Sequence, residues 1–297
     1  MAPTRSPSAD SASTSPGASI PDVRPPTDHP AQAELRPLRL ALVAGGLGGL
    51  NAGVFLWEKS RWWSDARVPF HFDDHLDYAQ NLDKLGHFFA TDVQALLAAR
   101  LLAWSGVRPA RAALSGTGLA LLFQTHVEIH DGFSPRWGFD RYDAAANLLG
   151  ATWFYAHERV AFLEPFSIRW SYFPSAAWRA SLQERRANHT AFADDYSGHS
   201  YWLSARVGDL LPEDWGRYWP RFLDLSLGVS VNDWQEAQPD GGYRSYYLGL
   251  DLDARRLLPR RTWLGRTLGD LFDRIHLPGP AIRLYPRPTL YLLYYGQ

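Results

Sequence analysis

Asp83-Lys84-Leu85-Gly86-His87 opens the stretch that decides the fold, which continues through Gln124, Glu128 and Asp131 and closes with Asp143 and Asn147. These polar residues punctuate three apolar segments, over about Asp83–Trp104, Ala110–Ile129 and Tyr142–Phe162. Ser105, Gly106 and Pro109 break the first from the second, and Asp131, Gly132, Pro135 and Gly138 the second from the third. Connections this short make the helices antiparallel neighbours. Residues four and seven apart share a helix face. Asp83, His87 and Gln94 therefore share one, as do Gln124, Glu128 and Asp131, and again Asp143, Asn147 and Gly150. The first and third sets begin their helices and the second ends its own, so an up-down bundle gathers all three at one end. Trp57 and Glu58 fall there too, whereas Arg36, Arg39, Arg100, Arg108, Arg111 and Arg159 gather at the other end.

Ionisable groups in an apolar bundle are costly unless they pair or face a water-filled pocket. The expected network sets His87 between Asp83 and Glu128 as the candidate catalytic group, with Asn147 and Gln124 completing hydrogen bonds. Lys84, Gln124, Asp131, Asp143 and Asn147 are the candidate ligand-binding residues. Helix capping competes for Asp83 and Asp143, which stand where a carboxylate favours a helix N-terminus. It explains His87, Glu128 and Asn147 less well. His126 and His130 have the spacing of helical metal ligands but lack the HExxH order and face away from Glu128. Asp73, Asp74 and Asp77 near His71 and His75 read as a solvated acidic loop. No metal and no cofactor is expected. GxSxG, P-loop and dinucleotide motifs are absent, so those chemistries have no support.

Residues 1–37, rich in Ser, Pro and Ala, read as a disordered tail. Leu40–Leu56 carries no charge and includes Gly45, Gly46, Gly48 and Gly49, which suits a transmembrane helix or the apolar part of a targeting segment. Trp57, Trp62 and Trp63 look like an aromatic belt at a membrane interface. Residues 38–163 thus form a bundle of about four apolar helices, membrane-embedded or membrane-associated. From residue 164 to 297 the pattern changes to period-two alternation, as in Ser167–Phe173, Ser200–Val207, Phe222–Val231, Tyr246–Asp253 and Thr289–Tyr295. Gln238–Gly242 reads as a hairpin turn, and Thr262–Ile275 as one amphipathic helix ahead of Pro278-Gly279-Pro280. The fold class is α+β: a helical bundle, then an antiparallel sheet of five or six strands. Whether that sheet touches lipid stays open.

A formal net charge of -1 gives no field for nucleic acid. The absence of cysteine excludes disulfides, thiolate catalysis and cysteine-ligated zinc. Asp83-Lys-x-x-His87, then Glu128-x-x-Asp131-Gly-Phe-Ser134, then Gly138-Phe-x-x-x-Asp143-x-x-x-Asn147-x-x-Gly150 resembles the YfiM-like family of predicted periplasmic proteins, which carries a domain of unknown function. It is more distantly similar to VanZ-like membrane proteins. The resemblance covers about residues 57–165 and implies a bacterial envelope location with no established enzyme activity. The chain lacks the lipid-bearing cysteine of short lipoprotein members, so anchoring is expected from its helices or sheet. Basic residues near the helix ends favour a cytoplasmic C-terminal sheet, weakly, and the resemblance favours the periplasm, which we adopt. Two functions follow: binding of a membrane lipid or another envelope protein in the polar pocket, or an envelope enzyme on a lipid-linked or glycan substrate with His87 as general acid/base. A third is a structural assembly component that uses the aromatic sheet edge.

Overall fold

The computed structural model describes residues 34–183, 192–235 and 241–294. The expected tail, except residues 34–37, and most of the Gln238–Gly242 turn lie outside the described residues. Helix α1 (Pro37–Arg61) is followed by α2 (Leu82–Trp104), α3 (Pro109–Asp131) and α4 (Arg141–Arg159). Strand β1 (Phe166–Tyr172), helix α5 (Ala176–Gln183) and strands β2 (His199–Ala205), β3 (Leu223–Asn232) and β4 (Tyr243–Leu252) come next. Helix α6 (Trp263–Phe272) and strands β5 (Gly279–Tyr285) and β6 (Thr289–Tyr294) complete the order.

Local chemistry sets the helix starts. Proline, pre-set for a first helical position, stands at the head of α1 and of α3. Asp140 caps α4, its carboxylate accepting from Tyr142 N at 2.7 Å. Asp83 and Asp143 sit inside the first turns of α2 and α4, where a carboxylate favours the helix N-terminus, but neither is the N-cap residue, which is Asn81 in one and Asp140 in the other. Ahead of α2, Ala79, Gln80 and Asn81 take φ values of 47°, 55° and 66°, a strained left-handed run. Arg244 of β4 holds it in place, donating from Nε to Gln80 O at 2.7 Å.

Helix α2 is the axis on which the bundle packs. Ala95, Leu96 and Ala99 of α2 meet Ala113 and Ala120 of α3 and Phe154 of α4 in a small-residue core. The backbones approach closely. A Cβ on Gly116 would lie 2.7 Å from Ala95 O, and one on Gly150 would collide with Phe88 O. Gly150→Ala should therefore cost about 1–3 kcal/mol in denaturant unfolding, as overpacked cores do. Gly45→Ala, which meets nothing within 4 Å, should be neutral or slightly stabilising.

Helix α1 is the one helix among the described residues long and apolar enough to cross a membrane, with mean hydropathy 1.6. Only its Val43 and Glu58 are buried. The indole N–H groups of Trp62 and Trp63, which follow α1, donate to Asp194 (3.2 Å) and Asp131 (2.6 Å).

The six strands form one antiparallel meander in the order β1 to β6. Strand β5 was not legible, because Pro278-Gly279-Pro280 reads as a breaker. Proline is tolerated at irregular strand starts, and the ladder between β5 and β6 shifts register between Gly279 and Ala281, passing Pro280. The amphipathic helix is shorter than expected, ending at Phe272. Trp202 of β2 and Tyr294 of β6 have ring centroids 5.5 Å apart. Four strand spacings of about 4.8 Å would separate those strands in a flat sheet, so the sheet is strongly curled. Cross-links tie sheet to bundle: Tyr196 to Asp83, Arg274 to Asp92 and Asp270 to Arg100.

Candidate functional site

At the end of the bundle where α2 and α4 begin and α3 finishes, a cleft of about 470 Å³ opens. Lys84 sits at its floor. Its ammonium lies 3.0 Å from Asp83, 2.9 Å from Asp140 and 2.7 Å from Asp143. His87, one turn along α2, presents Nδ1 to Glu128 Oε1 at 3.3 Å, and Nε2 to Asp83 and Asp143, each at 3.8 Å. Asn147 donates to Glu128 at 3.0 Å and accepts from the Thr91 hydroxyl at 3.0 Å. Tyr196 donates to the other oxygen of Asp83 at 2.6 Å.

The expected convergence of Asp83, Lys84, His87, Glu128, Asp143 and Asn147 is therefore present, and Asp131 lines the same cleft. Gln124 is the exception. It is buried one turn before Glu128, and no hydrogen bond joins it to the cluster among the described residues. Lys84 also differs from its expected part: it neutralises three carboxylates instead of standing free for a ligand. Four participants were missed. Asp140 lies only three residues from Asp143 and was hidden by its cap role. Tyr196 and Asp194 come from the segment before β2, and Trp137 from the loop between α3 and α4, where no periodicity points at the site.

Burial and charge pull the titrations in opposite directions. Burial pushes Glu128 up to about 8 and Asp131 to about 7, and takes Asp143 to about 7 against the pull of His87 and Lys84. Burial also disfavours a charged imidazole, yet Asp143, Asp83 and Glu128 outweigh it and raise His87 to about 9. Asp83 stays below the usual carboxylate range in spite of burial, held there by His87, Lys84 and Tyr196. Near neutral pH the cleft thus carries an ionised Asp83, cationic Lys84 and His87, and protons shared among Glu128, Asp131 and Asp143.

Linkage gives this a sign. A raised imidazole contributes stability that is complete below its unfolded value, near 6.5, and is lost as pH rises through about 9. Raised carboxyls likewise favour the fold most at low pH and least above about 8. The thermal midpoint should fall by several degrees between about pH 6.5 and 9, since each kcal/mol moves it roughly 2–4 °C. Glu128→Gln, which removes one of the shifted groups, should flatten that slope.

Asp83, His87 and Asp143 each offer one ligand atom, all within 4.8 Å of one another. The Lys84 ammonium already occupies the cation position between the two aspartates, so the donor set does not fit a resident metal. His126 and His130 meet edge to face, with ring centroids 4.3 Å apart and Phe55 and Trp63 alongside. In the acidic loop, Asp74 pairs with Arg141, and His75 lies 3.4 Å from Asp73. His157, near the opposite end, donates from Nε2 to Phe166 O (2.9 Å), and burial takes it down to about 4.

A bundle whose charged cleft is built by α2, α3 and α4, backed by a curled antiparallel sheet, defines an α+β protein with a helix-borne polar site. Residues 72–158, which carry that site, match a family described as predicted periplasmic lipoprotein (DUF2279). The chain is similar to that family over its cleft-forming helices, a likeness consistent with an envelope protein of uncharacterised function. No curated protein and no solved structure matches the chain.

Proposed function

We propose that this is an envelope protein, anchored through α1, whose cleft binds the hydroxyl-bearing head group of a lipid or lipid-linked saccharide. The observation that carries this is the indole N–H of Trp137. It is buried, lines the cleft and has no acceptor among the described residues. Buried donors are nearly always paired, so this one calls for an oxygen from a ligand. Around it stand the rings of Trp62, Tyr78 and Tyr196 and the carboxylates of Asp77 and Asp131. Aromatic walls with a few placed acceptors suit hydroxyl-rich ligands. The motif likeness to YfiM-like and VanZ-like proteins belongs to the same proposal, as does the periplasmic side.

Calorimetric titration of the full chain in detergent tests it, with N-acetylglucosamine oligosaccharides in one arm and short-chain phosphatidylglycerol in the other. Saturable binding is expected in one arm. Trp137→Phe keeps the ring, removes the donor and should weaken that binding roughly tenfold, the value of one hydrogen bond of about 1.4 kcal/mol. Binding in neither arm, or binding indifferent to Trp137→Phe, overturns the reading.

A second reading is favoured by the proton-sharing around His87: an enzyme acting on the same head group, with His87 and Glu128 exchanging the proton. His87→Gln distinguishes the two. Lost turnover with folding and binding intact favours the enzyme, retained binding with no turnover in either protein favours the binder, and unfolding marks the cluster as a structural lock.

A further inference from the structure

The curled sheet is polarised against the usual sense. Its enclosed face carries Ser171, Ser200, Ser230 and Ser245 in one cross-strand row, and Ser167, Ser204 and Ser226 in another, with Arg169 buried between them. Its outer face carries an unbroken aliphatic row across all six strands: Ile168, Leu203, Leu227, Leu248, Ile282 and Leu290. Of these, Leu203, Leu227, Ile282 and Leu290 are exposed, the last by 66 %. A parallel row, Phe166, Ala205, Leu225 and Leu250, extends the band, and neither row holds a charge.

The borders of the band are aromatic. On one side runs the row Trp170, Tyr201, Val229, Tyr246 and Tyr285, which the bundle covers at β1 to β3, through Phe89 and the cluster around Leu82, while Tyr246 and Tyr285 stay exposed. At the far end, in the connection from β2 to β3, Trp215 and Tyr218 are 72 % and 76 % exposed beside Arg217 and Arg221.

We infer that this outer sheet face rests on a lipid leaflet. Three observations choose lipid over a second copy. Protein interfaces carry a polar rim, whereas aromatic side chains with arginines are the rim of a membrane-facing surface. Polar-in, apolar-out alternation is the pattern of lipid-facing sheets and the reverse of a soluble half-sheet. Helix α1 independently has the length and composition of a membrane segment. The sheet lies on the leaflet and does not cross it. Among the described residues strand β6 ends the ladder with an unpaired edge, and an open edge is excluded from hydrocarbon but not from the hydrated head-group layer. This surface is separate from the cleft, and the inference does not need the cleft to bind anything.

The cysteine-free chain permits a direct test. Full-length Leu227→Cys carries an environment-sensitive fluorophore and is mixed with vesicles of phosphatidylethanolamine and phosphatidylglycerol. The expected result is a blue shift that requires lipid and is quenched by nitroxide-bearing phospholipid. Adding Leu203→Asp and Leu290→Asp, both at exposed positions, should abolish shift and quenching while α1 keeps the protein on the vesicles and circular dichroism stays native. A label that remains in water on the vesicles overturns the inference. So does a label shielded without lipid in a species of doubled mass, which would assign the face to a second copy.

Discussion

Arg169→Met is expected to cost about 3–5 kcal/mol, the penalty for removing one partner from a buried ion cluster, and to leave the sheet half unfolded at moderate temperature. Arg169 is fully buried. Its guanidinium pairs with Asp251 at 2.9 Å and Asp273 at 2.8 Å, reaches Asp224 as well, and donates from Nε to Asp273 O at 3.0 Å. One side chain on β1 thereby clamps β3, β4 and the segment after α6. Methionine fills the volume but strands three carboxylates away from water. Asp251 and Asp273 lie below the usual carboxylate range: burial raises them, and their arginine and hydrogen-bonding partners more than reverse it. Their contribution is present above the unfolded value near 4 and disappears as pH falls through their folded values. Asp224, pushed up to about 6 by burial, opposes them. The wild type should consequently lose stability in acid below about pH 4, and Arg169→Met should lack part of that acid limb, since His276 and Arg255 also hold Asp251 and Asp273 down. Chemical denaturation at about pH 7 and about pH 3 reads both effects, and a variant within about 1 kcal/mol of wild type at pH 7 contradicts the clamp.

Lys84→Met should be the second largest effect, about 3 kcal/mol at pH 8, because it leaves Asp83, Asp140 and Asp143 at one buried point without their shared cation. The deficit moves with pH in the same direction as that of Arg169→Met, but in a higher pH window, since Asp143 already titrates near 7. Without the ammonium the three carboxyls titrate higher, and a raised carboxyl favours the fold at low pH, so the deficit should shrink toward pH 5. A deficit that persists unchanged at pH 5 would mean that the ammonium acts through packing. Circular dichroism melts across pH 5–8 separate the cases.

The helices and most of the cleft could be read from the chain because they rest on local rules. Spacing of four on a helix puts Asp83 beside His87 and Asp143 beside Asn147 whatever surrounds them. Short breaks at Ser105–Pro109 and Asp131–Gly138 then force the three segments to alternate in direction. Gln124 obeyed the same spacing and still missed the cluster, since sharing a face does not place a side chain at the same height in the bundle.

Four helices, their polar ends and the alternation of the strands are written in the chain, because each follows from backbone periodicity over a few residues. That Tyr196 and Asp194 reach the cleft, and that Lys84 serves as its internal counter-ion, depends on contacts between distant segments. Which side of the sheet is enclosed depends on them too. Period-two alternation declares that two faces differ and is silent on which one closes; the curl that brings Trp202 to Tyr294, and the carboxylates that gather on Arg169, turned the serines inward and left the leucines outside.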